Sequence, residues 1–209
     1  MSRRLILVLF LIQTVSISAQ VRIDSLRRIL VSSGDAETRA KVSFQLGNSY
    51  SENTPDSAVY FFDLSANIWL TQADTIGFLR SSQYARTQLV STGRYDLAAK
   101  SLSRIIPFFS ESQDLGSAYL ELISYLDQLS DSDLQMNLAA YASTFFEQEK
   151  DTSNLLKVYD ILASKYYNAR AVDSASFYLK KSLVLSGGNE VLFPNIYEKL
   201  WMIQILEGD

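Results

Sequence analysis

The chain has 209 residues, of which 47% are hydrophobic and 20% are charged, proportions typical of a globular protein with one sizeable core. It contains no Cys and no His, so it lacks a disulfide, a thiol nucleophile and the commonest general base and metal ligand. Its net charge of −4, without a basic cluster, argues against nucleic acid as a partner. We therefore expect no cofactor and no metal site.

The first 19 residues have the pattern of a secretory signal peptide. Two arginines precede an apolar run over 5–12, and small and polar residues then lead to Ala19. A positive start, an apolar centre and a small residue at the cut are typical of such leaders. We predict a signal peptide over 1–19, cleavage near Ala19-Gln20 and a periplasmic or secreted mature chain. The alternative is an uncleaved membrane anchor, although the apolar run is about half of the ~20 residues that a bilayer span needs.

The remainder of the chain predicts helices in series. Apolar side chains recur three and four residues apart, and no convincing alternating run or Asn-Gly turn indicates a strand. Gly93 and the Gly187-Gly188 pair suit turns. A lead helix is predicted near 22–32, within a segment 20–35. The later helices are predicted near 36–52, 56–70, 74–91, 95–109, 113–129, 133–148, 153–168, 172–185 and 190–206. Residues that suit a helix start stand at Asp35, Pro55-Asp56, Asp74, Ser132, Asp151 and Asp173.

These helices repeat in pairs. Within 159–183, Leu162, Ala163 and Tyr166 lie on one helix face, and Ala175 and Leu179 lie on a face of the next helix. The same offsets return over 43–65 and 85–105. A weaker copy runs through Leu122, Ile123 and Leu126 to Leu134, Leu138 and Tyr141. The second-helix anchors Ala58, Ala98, Leu134 and Ala175 are 40, 36 and 41 residues apart.

The residue types explain how such a pair would pack. Small side chains such as Gly47 and Ala58 let two backbones approach closely, and rings such as Tyr50 and Phe62 fill the adjacent space. The same anchors would also suit the core of an irregular helical bundle, which is the alternative fold.

This arrangement resembles the tetratricopeptide repeat family over about residues 36–209. Tyr159 stands where the family prefers Trp, and Gly93 with Tyr95 matches its turn glycine and the tyrosine that follows. The resemblance implies an all-α, right-handed α-solenoid of antiparallel helix pairs, with about four and a half repeats.

The last predicted helix is apolar around much of its circumference. Tyr197, Leu200 and Trp201 have the offsets of a fifth first helix, and Gly208 falls where the turn glycine is expected. A solvent-facing cap would be polar on its outer face. We therefore expect that a partner covers this helix, or that the chain is the front part of a longer protein.

The resemblance also implies a binding surface. In such solenoids the first helix of each pair lines a concave face, which would bind a peptide or protein segment. Basic and amide side chains there would hold a carboxylate or an extended backbone. For each such residue, a solvated helix surface is the alternative. The candidate residues are Lys41, Asn48, Arg80, Gln83, Lys157, Tyr167 and Asn168.

We expect no catalytic activity. Most acidic residues lie at helix starts rather than in apolar clefts, and no nucleophile elbow or phosphate-binding glycine loop occurs. A paired-carboxylate hydrolase remains an alternative by composition. A repeat-built, sugar-binding outer-membrane lipoprotein is another, although the chain lacks the Cys that lipidation needs.

A second resemblance concerns exported proteins of the Bacteroidetes group. The leader ending in SAQ, followed by RIDSLRRILVSSGDAETRAKVSFQLGNSY, resembles the front of exported repeat regions of that group. Such regions often precede a membrane helix and a histidine-kinase or DNA-binding output domain. Asp-Ser/Thr-apolar triplets, as at 56–58, also resemble an O-glycosylation sequon of that group, although helix capping explains most of them.

Two functional hypotheses follow. The first is an exported, non-catalytic scaffold or adaptor that binds a protein segment. The second is the periplasmic sensory region of a membrane histidine kinase or transcriptional regulator, truncated before its output domains. In both, a membrane is a partner only through an uncleaved leader or a missing downstream part.

Overall fold

The computed structural model describes residues 20–187 together with 198, 201 and 202, and this part of the chain contains helices and no strand. The all-α prediction is confirmed. The predicted signal peptide and most of the helix predicted near 190–206 lie outside the described residues. The described helices are α1 (20–32), α2 (Ala36–Tyr50), α3 (Pro55–Thr71), α4 (Thr75–Ser91), α5 (Tyr95–Ile105), α6 (Ser112–Gln128), α7 (Ser132–Glu149), α8 (Thr152–Asn168) and α9 (Val172–Leu185).

The chain divides into two compact units, which meet in sequence at Phe108 and Phe109. Unit 1 contains α1–α5, and unit 2 contains α6–α9. From α2 to α5 and from α6 to α9, helices that follow each other in sequence pack together. The loops between them are short, so neighbouring helices run antiparallel. The pairs α2/α3, α4/α5, α6/α7 and α8/α9 are the four predicted repeats.

Aspartate side chains begin four of the helices. Each accepts a hydrogen bond from the backbone N–H three residues further on, which satisfies one of the free donors of a first turn. At α7 the prediction of Ser132 was one residue late, and at α9 Ala171 precedes the helix, so Asp173 lies in its first turn. The four caps are Asp35, Asp74, Asp131 and Asp151, with N···O distances of 2.7, 2.8, 3.1 and 3.1 Å.

Unit 1 packs through a glycine and aromatic rings. Gly47 of α2 lies so close to α3 that a Cβ added there would come within 2.6 Å of the Phe62 ring. The Phe44 ring packs edge-on against Phe62, with centroids 5.2 Å apart, and against Tyr84 of α4 at 4.9 Å. The predicted close approach of α2 and α3 is therefore present, and it depends on the missing side chain at Gly47.

Buried hydroxyl groups also connect the helices of unit 1. Ser65 of α3 donates to the carbonyl of Ala40 in α2 at 2.9 Å, and its Oγ lies 3.0 Å from the Oγ of Ser81 in α4. Ser65 and Ser81 are buried. A buried hydroxyl with two partners links three helices without costing an unsatisfied polar group.

Unit 2 packs through a continuous apolar cluster where α6, α7 and α8 meet. Its largest fully buried side chain is Phe146, which is 1% exposed and faces Gly116 of α6, where an added Cβ would come within 2.7 Å of the ring. The cluster contains Tyr119, Ile123, Ala139, Ala142, Phe146, Leu155, Val158, Tyr159 and Leu162.

The register predicted for α7 was wrong by one residue. The predicted anchors Leu134 and Tyr141 are 51% and 61% exposed, whereas Gln135, Ala139 and Ala142 are buried. Both faces of α7 carry apolar side chains, so hydrophobic periodicity alone selected the more apolar face rather than the buried one.

The corrected register places Gln135 at the position that alanine occupies in the second helix of each of the other three repeats. It is the fourth residue of α7, as Ala58, Ala98 and Ala175 are of their helices. Its Nε2 donates to the carbonyl of Ile123 at 3.2 Å, but its Oε1 has no hydrogen-bond partner among the described residues. A buried acceptor without a donor costs about 1–3 kcal/mol.

Candidate functional site

A cleft between α2 and α4 brings together the first helices of two consecutive repeats. Its volume is about 590 Å³, within the range of about 300–1,000 Å³ that is usual for ligand sites. The lining residues of each helix are three or four positions apart and so share one face. The walls include Lys41, Phe44 and Gln45 of α2, Trp69 of α3, and Ile76 and Arg80 of α4.

The two cations of this cleft have different partners. Lys41 forms an exposed ion pair with Glu37, one turn earlier, and the hydrogen bond to that carboxylate raises the pKa of Lys41. The guanidinium of Arg80 lies over the Phe44 ring, 4.8 Å from its centroid. Among the described residues Arg80 has no ion-pair partner, so its donors remain available while the ring fixes its position.

The structure brings two of the seven candidate residues into this cleft, Lys41 and Arg80. Asn48 and Gln83 are exposed on the same two helices but do not line the cleft. A binding role for any of the seven stays a prediction.

The other three candidates lie on α8 of unit 2. Lys157 is exposed and donates to Asn154 Oδ1 at 3.0 Å. Tyr167 is partly buried against the cluster of Ala163, Ala175 and Leu179. Asn168 is the exposed last residue of α8.

Unit 2 has a smaller cleft between its own first helices, α6 and α8. Its volume is about 310 Å³, and its lining includes Leu120, Asp127, Gln135 and Lys165. Lys165 donates to Asp127 at 3.0 Å, and this hydrogen bond, with a weaker one from Gln135, lowers the pKa of Asp127. Lys157, Tyr167 and Asn168 do not line this cleft.

Sequence reasoning missed the aromatic walls of the larger cleft. Phe44 was available as a signal, because it lies three residues after Lys41 and therefore on the same face of α2. Trp69 could not be placed from spacing, because it comes from the end of the intervening helix. Its ring covers Gly77, where an added Cβ would come within 2.6 Å of it.

In residues 20–187, no three acidic side chains gather as the ligands of a metal ion would. None of the helices described there combines the length and the apolar character that crossing a membrane requires.

Comparison with known proteins identifies the architecture. Neither a protein-family model nor a curated protein sequence matches the chain. Among solved structures, it is similar to the kinesin light chain TPR-like repeats of Podosopora anserina, with a TM-score of 0.56 and 13% identity over 80% of this chain and 87% of that one. BtubC from P. vanneervenii gives a TM-score of 0.57 at 15% identity, over 92% and 82% of the two chains.

A third similar structure is a signal transduction ATPase from Pyrococcus horikoshii that has a tetratricopeptide repeat sensor. Its TM-score is 0.57 at 15% identity, over 85% of this chain and 28% of that one. At these identities the likeness shows the fold and not the ligand. The helix pairs, their order and these likenesses together show that the chain has the tetratricopeptide-like repeat fold.

Proposed function

We propose that the chain is a non-catalytic interaction scaffold that binds an extended protein segment in the cleft between α2 and α4. The observation that carries this proposal is the convergence of Lys41 and Arg80, from consecutive first helices, on one cleft with aromatic walls. Repeat folds of this kind generally provide surfaces for protein interactions, which supports the proposed scaffold function.

The cleft suits a segment that carries a carboxylate beside an apolar side chain. Because the Arg80 guanidinium is already positioned over the Phe44 ring, little side-chain entropy is lost when its planar fork binds a carboxylate. Lys41 would exchange Glu37 for the ligand, at small cost because exposed ion pairs contribute at most about 1 kcal/mol. The Phe44 and Trp69 rings would contact the apolar side chain.

A second candidate function is the sensory region of a signalling protein. The Pyrococcus horikoshii ATPase has its tetratricopeptide repeats as a sensor, which favours this candidate. The chain would then bind its segment in the same cleft and pass the signal to output domains that follow it.

Export through the leader over 1–19 is part of both proposals, and the order of charged, apolar and small residues supports it. Expression of the full gene in a Gram-negative host, followed by fractionation and amino-terminal sequencing, tests it. We expect a mature chain in the periplasm that begins at Gln20. An intact amino terminus in the cytoplasmic fraction would contradict export.

The binding proposal is tested with peptides selected on the wild-type chain from a displayed library of random 12-residue sequences. We expect selected peptides to carry Asp, Glu or a free carboxyl terminus. The double variant K41E/R80E should weaken their binding at least tenfold in fluorescence anisotropy. K100E, which changes an exposed lysine of α5, is the matched control. If the wild-type chain selects no peptide, or if K41E/R80E binds as tightly as K100E, the proposed site is wrong.

A further inference from the structure

A second groove lies between α7 and α9, the second helices of the last two described repeats. Phe146 of α7 and the first turns of α8 form its floor, and its volume is about 620 Å³. Its two sides are second helices of repeats, whereas the two sides of the cleft between α2 and α4 are first helices. It also lies in unit 2, so each groove can be tested without altering the other.

The groove has a closed apolar floor and an open apolar wall. Phe146 and Leu155 on the floor are 1% and 5% exposed. On the wall, Phe177 and Val184 of α9 are 53% and 82% exposed. These two residues are seven positions apart, which places them two turns apart on the same face of α9. Large apolar side chains exposed in line along a groove are typical of a surface that another chain covers.

The rim of the groove is positively charged. Lys150, Lys180 and Lys181 line it, against a single carboxylate, that of Glu147. Lys181 donates to Glu147 at 3.0 Å and to the Tyr159 hydroxyl at 3.3 Å, so its charge is compensated.

The other two lysines of the rim are not compensated in this way. Lys150 and Lys180 are exposed, and neither side-chain ammonium group has a hydrogen bond or ion pair with another described residue. Lys150 ends α7 in the left-handed conformation, with φ of 56°, which fixes its backbone at the mouth of the groove. An excess of cations here contrasts with the net charge of −4 of the whole chain. Long-range attraction would therefore favour an acidic partner at this place.

We propose that this groove binds an acidic amphipathic helix of a partner protein. The apolar side chains of that helix, at positions i, i+3 or i+4 and i+7, lie along Phe177, Val184 and the floor. Its carboxylates pair with Lys150 and Lys180. A small anionic molecule would leave Val184 uncovered, whereas a helix that spans two turns covers both Phe177 and Val184.

The test uses two synthetic 14-residue peptides. One carries Leu and Phe at the helical spacing given above and Glu at the other positions, and its twin carries Lys in place of every Glu. We expect the wild-type chain to bind the acidic peptide and not the twin, with affinity that falls as salt is raised. The double variant K150E/K180E should lose at least tenfold in affinity for the acidic peptide and gain measurable affinity for the basic twin. The F177S variant should lose at least fivefold in affinity for the acidic peptide.

Two controls separate this groove from the rest of the chain. K100E should bind the acidic peptide as the wild type does. Because a peptide with carboxylates beside apolar side chains also suits the first cleft, the measurement is repeated on K41E/R80E, which should still bind the acidic peptide and should lose that binding when K150E/K180E is added. Phe177 is half exposed, and circular dichroism should show the F177S variant folded. The proposal is overturned if both peptides bind equally, if K150E/K180E changes nothing, or if the wild-type chain binds neither. Sedimentation that shows a dimer abolished by F177S would also overturn it, because a second copy would then be the occupant.

Discussion

Units 1 and 2 hold similar helix pairs together by different means. In unit 1, Gly47 admits the Phe62 ring and the Ser65 hydroxyl bonds to two other helices. In unit 2, Gly116 likewise admits the Phe146 ring, but an apolar cluster around that ring takes the place of the hydroxyl network. The same repeat spacing therefore accommodates a core whose helices are linked by buried hydroxyl groups, and one filled by a larger apolar cluster, with a close glycine contact in both.

The two units also differ in what their first helices present to a ligand. Lys41 and Arg80 are each the sixth residue of their helices, α2 and α4. The residues in that position of α6 and α8 are Ser117 and Lys157. Unit 1 therefore presents two cations where unit 2 presents one, and its cleft has nearly twice the volume. Unit 1 is therefore the better match for a peptide that carries a carboxylate.

The largest effect should come from emptying the core of unit 2. Phe146→Ala removes a ring that is 1% exposed, and such changes cost about 3–5 kcal/mol in the free energy of unfolding. Hydrogen exchange should show a greater loss of amide protection in α6–α8 than in α2–α4. Phe62→Ala in unit 1 is the matched change and should reverse that order. Equal loss of protection in both units for either variant would contradict the existence of two separate cores.

A smaller effect is expected from the hydroxyl network of unit 1. Ser65→Ala leaves the Ser81 hydroxyl without its partner at 3.0 Å, which should lower the free energy of unfolding by about 1–2 kcal/mol in urea denaturation. Ser143→Ala is the control, because the Ser143 hydroxyl bonds only to a carbonyl of its own helix. If both serine variants are equally stable, the network does not hold α2, α3 and α4 together.

Removing the buried Gln135 amide, whose oxygen has no partner among the described residues, should stabilise the chain. Gln135→Met deletes the buried Oε1 and keeps most of the side-chain volume, while the Ile123 carbonyl keeps its place in the helical hydrogen-bond ladder of α6. We expect the free energy of unfolding to rise by about 1 kcal/mol. Gln148→Met, at an exposed position of the same helix, should change it little. A destabilised Q135M variant would show that the Gln135 amide holds α6 and α7 together.

As the pH falls, unit 2 should lose stability before unit 1. In unit 2, a hydrogen bond from Lys165 lowers the pKa of Asp127, and hydrogen bonds from Tyr159 and then Lys181 lower the pKa of Glu147. A carboxylate whose pKa is lower in the folded state than in the unfolded state stabilises the fold at any pH above its unfolded-state pKa, which is about 4. That contribution is lost as the pH falls through the folded-state pKa.

In unit 1, the pKa values of two carboxyl groups are shifted in opposite directions, so their effects on stability in acid are opposite. The hydrogen bonds from Thr38 lower the pKa of Asp35, whereas burial raises the pKa of Asp63. Because a raised carboxyl pKa favours the fold in acid, the two contributions oppose each other. Amide protection measured between pH 6 and pH 3 should therefore fall first in α6–α9. An earlier fall in α2–α4 would show that other groups control the acid response.

The sequence predicted the features that depend on spacing and size. Helix positions follow from the period of the apolar residues, and Gly47 beside Ala58 predicted close contact because only small side chains permit it. Of the candidates placed on α2 and α4, Lys41 and Arg80 line one cleft, whereas Asn48 and Gln83 do not.

The features that the sequence could not supply depend on contacts between helices. Leu134 and Tyr141 looked like core because α7 is apolar on two faces, and only packing against its neighbours shows which is buried. The stacking of Arg80 on Phe44 and the place of Trp69 depend on how the helices are tilted, which periodicity does not encode.

The most direct test of the proposed function is the structure of the chain in complex with a peptide selected on it, determined by crystallography or NMR. We predict that the peptide lies between α2 and α4, with a carboxylate on the Arg80 guanidinium and an apolar side chain against Phe44. A peptide bound elsewhere, with Arg80 still stacked on Phe44 and free of ligand, would contradict the proposal.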